Sequence, residues 1–167
     1  MNRDGRRPPR ARTDPSTPGD ATTHGTSCRN AIDTNVLVYF VDEHKPAKQA
    51  KATKLLERLA EEETETALLW QVAVEFLSCL RRWEHEGRID RTTTREHVER
   101  LELTFPCVMP SRSLLRRSLD LSSRYSLSHW DSLLLAACAD AGVNTLYSED
   151  LDDGMTYDTV KVVNPFA

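Results

Sequence analysis

From Cys28 onward, short apolar runs alternate with longer segments in which apolar residues recur every three or four positions. Runs too short to be buried helices, separated by amphipathic helices, cover both their faces only as strands of one sheet with helices packed against it. The sequence therefore predicts an α/β fold. Arg29 to Ile32 reads as a first strand, followed by a helical run from Asn35 to Val41. Pro46, suited to a first helical position, opens a long helix to Glu62 with Ala47, Ala50, Leu55, Leu56 and Leu59 as its buried stripe. Thr64 to Leu69 is a second strand, after which Val72, Phe76, Cys79, Leu80 and Trp83 keep helical spacing until Gly87. Thr92 to Thr104 is another helix, Phe105 to Met109 an edge strand broken by Pro106, and Ser111 to Arg124 a basic amphipathic helix. Ser128 opens the most apolar helix, which runs through Leu133, Leu134, Leu135 and Cys138 to a stop at Gly142. A strand from Asn144 to Tyr147, a polar loop from Ser148 to Gly154 and a last strand from Thr159 to Val163 complete the chain.

Residues 1–28 differ in kind. They are rich in Arg, Pro, Thr, Gly and Asp and nearly devoid of large apolar side chains, so they bury too little surface to offset the entropy of ordering. They are expected to be a disordered or non-native extension, with Arg6, Arg7, Arg10 and Arg12 its potential contacts to nucleic acid, and residues 29–167 to be a single domain. The extension holds five arginines against three aspartates, so the −4 of the whole chain becomes −6 for the remainder. An acidic domain is no general coat for a polyanion, yet it acts on one if its carboxylates gather around a divalent cation, which reverses the local potential. No run approaches the roughly 18 uncharged apolar residues of a membrane span, and no secretory signal opens the chain, which predicts a cytoplasmic protein without a membrane partner. Cys28, Cys79, Cys107 and Cys138 are widely spaced, the last three among apolar neighbours, and read as free thiols in a reducing compartment.

Four acids stand where strands end or helices begin: Asp33 closes the first strand, Asp150 follows the strand Asn144 to Tyr147, and Asp131 and Glu75 lie near the starts of helices. In open α/β sheets ligands bind outside the carboxyl ends of the strands, so such positions converge. Carboxylates brought together repel unless a cation neutralises them, and a set of hard oxygen donors without His or Cys selects Mg²⁺ or Mn²⁺. One or two such ions activate a water and stabilise displacement at phosphorus. Asp33, Glu75, Asp131 and Asp150 are therefore the candidate catalytic and metal-holding residues, with Thr34, Asn35 and Ser148 as short hydrogen-bonding side chains that orient them.

Each acid also has a plainer reading. Asp33 suits a helix cap, Ser128 with Asp131 matches a capping box, Glu75 suits a helix edge and Asp150 a turn. Their combination carries the functional reading. His129 and Trp130 read first as packing at a helix start. Arg81, Arg82, Arg116 and Arg117 are candidate RNA contacts, against the ordinary role of charged helix faces, which is solvation.

Four stretches, AIDTNVLVYF at 31–40, WQVAVEFL at 70–77, HWDSLLLAACADAG at 129–142 and LYSEDLDDG at 146–154, with the closing VKVVNPF, resemble the PIN-domain nucleases and in particular the VapC-like toxins of bacterial toxin–antitoxin pairs. The resemblance covers residues 29–167. It implies a three-layer α/β/α sandwich with a mainly parallel sheet and a Mg²⁺- or Mn²⁺-dependent endoribonuclease acting on single-stranded RNA. It also implies a homodimer inhibited by a cognate antitoxin. The family's acids fall on Asp33, Glu75, Asp131 and Asp150, and its polar companion on Asn35. Glu149, Asp152 and Asp153 crowd the same loop and compete for the fourth place. Two other functions fit the residues: a catalytically silent PIN-like module binding protein or RNA, and a phosphohydrolase with Asp33 as nucleophile, which the Asn at position 35 disfavours.

Overall fold

The computed structural model describes residues 29–167, so the expectations about residues 1–28 lie outside the described residues. Six strands and six helices alternate: β1 (Arg29–Ile32), α1 (Thr34–Val41), α2 (Pro46–Glu61), β2 (Thr66–Leu69), α3 (Trp70–His85), α4 (Arg91–Thr104), β3 (Cys107–Val108), α5 (Leu114–Tyr125), α6 (His129–Asp140), β4 (Val143–Tyr147), β5 (Thr156–Tyr157) and β6 (Val160–Val163). The strands form one sheet in the order β3-β2-β1-β4-β6-β5, parallel throughout except for the antiparallel β5–β6 edge.

The second halves of β1, β2 and β4 are apolar without alternation because both their faces are covered. Ala31, Ile32, Ala67, Leu68 and Leu69 are buried, as are Val143 and Leu146. Helix α1 packs on α2 and α3, and α3 on α4; α5 and α6 pair with each other, and α6 lies on β4 and β6. Among the described residues no helix is long and apolar enough to cross a membrane.

Three local expectations are corrected. The buried stripe of α2 is Ala52, Leu55, Leu56 and Leu59, while Ala47 and Ala50 face solvent. Three leucines and one alanine set the helix's rotation, and the methyls of Ala47 and Ala50 carry too little apolar area to compete. Cys107 is exposed rather than packed because β3 is a two-residue edge strand; Cys79 is half-buried and Cys138 buried, and among the described residues these three thiols form no disulfide. The last strand, expected alone over Thr159 to Val163, is β6 of a hairpin whose other strand, β5, follows the polar loop that ends at Gly154. Asp158, at φ 52°, turns the hairpin, a left-handed conformation that short polar side chains tolerate.

Candidate active site

Strand β1 sits where the strand order reverses. Its chain continues to β2 on one side, while β4 returns to pair on the other, opening a crevice beyond the carboxyl ends of β1 and β4. Ile32 pairs with Tyr147, and the Asp33 amide donates to the Tyr147 carbonyl at 2.9 Å, which sets Asp33 beside Ser148. The geometry of the sheet, rather than any local motif, brings these two residues together across 115 positions of chain.

Asp33 is the N-cap of α1, and its Oδ1 accepts the Thr34 amide at 2.6 Å. Its Oδ2 accepts from the Ser148 hydroxyl at 2.6 Å and from the Asn35 amide nitrogen at 2.9 Å. The same Asn35 nitrogen donates to Asp150 Oδ2 at 3.2 Å, and Ser148 Oγ accepts the Asp150 amide at 3.1 Å. One neutral amide thus links a buried carboxylate to an exposed one. Asn35 Oδ1, on the other side of that amide, is buried and has no hydrogen-bond partner among the described residues.

Glu75 comes from α3, two turns in from the end of β2, and both its oxygens are held by neutral donors. Thr34 Oγ1 donates to Oε2 at 2.8 Å, and Gln71 Nε2 to Oε1 at 2.9 Å. Gln71 also reaches the Trp130 carbonyl at 3.4 Å, tying the start of α3 to the start of α6. Gln71 is not among the residues that the sequence singles out; its one signal there is its position four residues before Glu75 on one helix face.

Asp131 is placed differently. Ser128 caps α6 by accepting the Asp131 amide at 3.2 Å, and its hydroxyl donates to Asp131 Oδ2 at 2.6 Å. The capping pair is formed, and neither of these hydrogen bonds reaches Asp33, Glu75 or Asp150. Asp131 nonetheless follows Trp130, whose carbonyl belongs to the Gln71–Glu75 chain. Of the acids crowding the 148–154 loop, Glu149 pairs with Lys48, Asp152 accepts from the Tyr157 hydroxyl at 3.3 Å, and Asp153 accepts the Asn164 amide at 2.8 Å. Asp150 is the one bonded to Asn35.

Burial raises the Asp33 carboxyl from 3.8 to about 6, with the charges of Asp150 and Glu75 adding to the rise against the opposing bonds from Ser148 and Thr34. Among the described residues no ion pair reaches Asp33, Glu75, Asp131 or Asp150, although eight others form elsewhere. The negative charge here has no protein counter-charge. Among the described residues no three His, Cys, Asp or Glu side chains come close enough together to hold a metal ion between them. The donor chemistry nevertheless suits Mg²⁺, which is bound by one or two carboxylates and keeps several waters. An ionised carboxylate offers about four lone-pair sites, and three donors use three of them on Asp33.

Of the four candidate arginines, Arg116 and Arg117 lie on α5, and Arg82 stands about two turns beyond Glu75 on the same side of α3. Arg117 pairs with Asp140 at the carboxyl end of α6, the opposite end from Asp131, and Arg116 is its exposed neighbour. Arg81 and Arg82 are exposed near the end of α3; Arg81 pairs with Glu84, and Arg82 contacts Cys79 Sγ at 3.5 Å. Trp130 is 61% exposed and Trp70 46%, so Trp130 is not the packing residue its position suggests. With Val74 and Ser78 they line an open cleft of about 690 Å³ on whose wall Glu75 and Gln71 stand.

The model of the PIN domain matches residues 31–154, three quarters of the chain. The chain belongs to the PIN-domain family. No curated protein matches it in sequence. In fold this PIN domain is similar to three solved structures. A toxin–antitoxin complex from Klebsiella pneumoniae shares 22% identity at a TM-score of 0.57, covering 81% of this chain and 97% of that one. VapC20 of Mycobacterium tuberculosis, a sarcin–ricin loop cleaving toxin, shares 17% at 0.57, covering 74% and 91%. VapBC2 from Rickettsia felis, bound to a DNA fragment from its promoter, shares 13% at 0.60, covering 80% and 96%. At these identities the likeness is one of fold, and the PIN architecture of a mainly parallel sheet between helices is common to all.

Proposed function

We propose that this PIN domain is a divalent-metal-dependent endoribonuclease that cuts single-stranded RNA in the cytoplasm and serves as the toxin of a toxin–antitoxin pair. One observation carries the reading. A buried carboxylate, Asp33, is linked through Asn35 to Asp150 and through Thr34 to Glu75, and none of the three acids has an ion pair among the described residues. Uncompensated carboxylates at the carboxyl ends of parallel strands are the setting for a hard cation.

Asp33, Glu75, Asp131 and Asp150 are the residues that would hold Mg²⁺ or Mn²⁺, one or two of them directly and the others through the ion's waters. Bound there, the metal supplies the positive charge that a phosphodiester needs in its transition state and lowers the pKa of an attacking water. The protein's own part is orientation. Ser148 and Asn35 fix Asp33, Asn35 fixes Asp150, and Thr34 and Gln71 pin Glu75 at both oxygens, so no carboxylate must reorganise during the reaction. Asp150 is exposed while Asp33 is buried, which leaves one open side for a phosphate to approach.

Support for the toxin role comes from the structural likeness to a toxin–antitoxin complex and to an RNA-cleaving toxin. An antitoxin is the proposed protein partner. A homodimer is the proposed assembly, with the exposed Trp70, Val74, Leu77 and Trp130 as its apolar surface. The test is cleavage of a mixed tRNA and single-stranded RNA pool in Mg²⁺, Mn²⁺ or EDTA, alongside Asp33→Asn. Cutting that needs metal and vanishes in Asp33→Asn is the expected result; RNA left intact by the wild type in either metal overturns the reading.

A further inference from the structure

Five lysines occur in the chain, and four of them, Lys45, Lys48, Lys51 and Lys54, fall within ten residues at the start of α2. No acid lies between Lys45 and Leu56, in a domain whose balance is −6. Three-residue spacing places successive ammonium groups on adjoining positions of a helix surface, about 5–6 Å apart at Cβ. Each three-residue step turns about 60° round the helix, so the row starts over the N-terminal end of the buried stripe (Ala52, Leu55, Leu56 and Leu59), where Lys48 is half-buried, and winds to the solvent side at Lys51 and Lys54.

This stripe begins at the candidate active site. Lys48 pairs with Glu149, the residue before Asp150, and donates to the Tyr39 hydroxyl at 3.0 Å. Lys45 stands 4.9 Å from the centroid of the same Tyr39 ring. Lys51 donates to the main-chain oxygens of Phe166 and Ala167, and Lys54 forms no ion pair among the described residues. Among the described residues no side chain caps the N-terminus of α2, so the helix adds its own positive end to the lysines.

From Lys45 to Lys54 the helix advances about 14 Å. One small anion cannot engage charges spread over that length, whereas a polymer of regularly spaced phosphates can. We propose that the lysine row winding over the first turns of α2 is the track along which the RNA sugar–phosphate backbone runs from the site, on one side of the scissile bond. The proposal rests on the ribonuclease reading above and assigns backbone binding to Lys45, Lys51 and Lys54 rather than to the arginines of α3 and α5. Lys48 anchors the loop that carries Asp150.

The experiment measures binding of a fluorescently labelled single-stranded oligouridylate to the full chain in EDTA, across roughly 50 to 200 mM salt. Three proteins are compared with the wild type: Lys45→Gln/Lys51→Gln/Lys54→Gln, the charge-preserving Lys→Arg triple, and Arg81→Gln/Arg82→Gln/Arg116→Gln as a control of equal charge change. The Lys→Gln triple is expected to bind at least about tenfold more weakly at the low-salt end, with a log–log salt slope shallower by about 2, as three lost contacts to a single strand require. The Lys→Arg triple should restore both, and the arginine control should change affinity less than about twofold. Unchanged affinity and slope in the Lys→Gln triple, equal loss in the arginine control, or a wild type that binds no RNA each overturns the track. Wild type that binds RNA through these lysines yet cuts none in Mg²⁺ or Mn²⁺ removes the nuclease reading and leaves the track standing. Metal-dependent cutting with a Lys→Gln triple that binds as wild type does the reverse.

Discussion

Asp33 is under opposing demands. Burial and two neighbouring carboxylates disfavour its charge, while three hydrogen-bond donors favour it, and burial wins by raising its pKa from 3.8 to about 6. A carboxyl that binds its proton more tightly when folded stabilises the fold at low pH, and that stability is lost as pH rises from 3.8 through 6. The displacement corresponds to about 3 kcal/mol. In EDTA, urea unfolding of the wild type should therefore show an Asp33 contribution that falls between those two pH values. Glu149, held below its ordinary range by Lys48, pulls the opposite way, so the quantity to follow is the difference from Asp33→Asn. That difference should shrink the wild type's advantage by up to about 3 kcal/mol from pH 4 to pH 7; a pH-independent difference would show that Asp33 titrates normally. At this scale the sequence was legible where a side chain's role follows from its position at a strand end, as with Asp33 and Asn35. For Gln71 its one signal is the four-residue spacing from Glu75, which gains meaning only once that acid is known to face the crevice.

Among the elements, α6 shows how one residue serves a local and a wider need. Ser128 caps the helix and holds Asp131 through its hydroxyl, so Ser128→Ala removes a cap and releases a carboxylate. It should cost about 1 kcal/mol, read as a lower urea midpoint at unchanged slope. A variant as stable as the wild type would mean that the packing of α6 on β4 and β6 makes the cap redundant. Helix α2 teaches a different lesson. Its existence and start follow from Pro46 and the apolar spacing, but its rotation was misjudged at Ala47 and Ala50, because a methyl group contributes little burial and periodicity alone weights it equally with leucine. That rotation leaves Lys45, Lys51 and Lys54 exposed and Lys48 half-buried beside Glu149. The β5–β6 hairpin escaped notice because a two-residue strand is too short to show alternation, and Asp158 at its turn gives no Asn-Gly or Asp-Gly signal.

For the molecule as a whole, the sheet order is the decisive fact. With β1 between β2 and β4, residues from both halves of the chain meet at one crevice, and their unneutralised charge is carried as a cost to stability. A cation that binds the folded state alone repays that cost by mass action, by about 2.7 kcal/mol at a hundred times its Kd. Addition of Mg²⁺ should raise the Tm of the wild type and leave Asp33→Asn nearly unmoved, as scanning calorimetry can show. An equal rise in both proteins would place the ion's effect somewhere other than this crevice.

Periodicity and punctuation in the sequence determined the α/β class, most element positions and the strand-end location of the acids, because burial imposes a period of 2 or 3.6 and strand ends fall where apolar runs stop. The tertiary structure alone decided which acids share a hydrogen-bond network. Asn35 joins Asp33 to Asp150 and Thr34 joins α1 to Glu75, whereas Glu149, Asp152 and Asp153 are drawn off to Lys48, Tyr157 and Asn164. The reason is physical. Neighbours in a polar loop are equivalent in composition, and only the register of β1 on β4, together with the helices packed around them, aims one carboxylate into the crevice and turns the next one away.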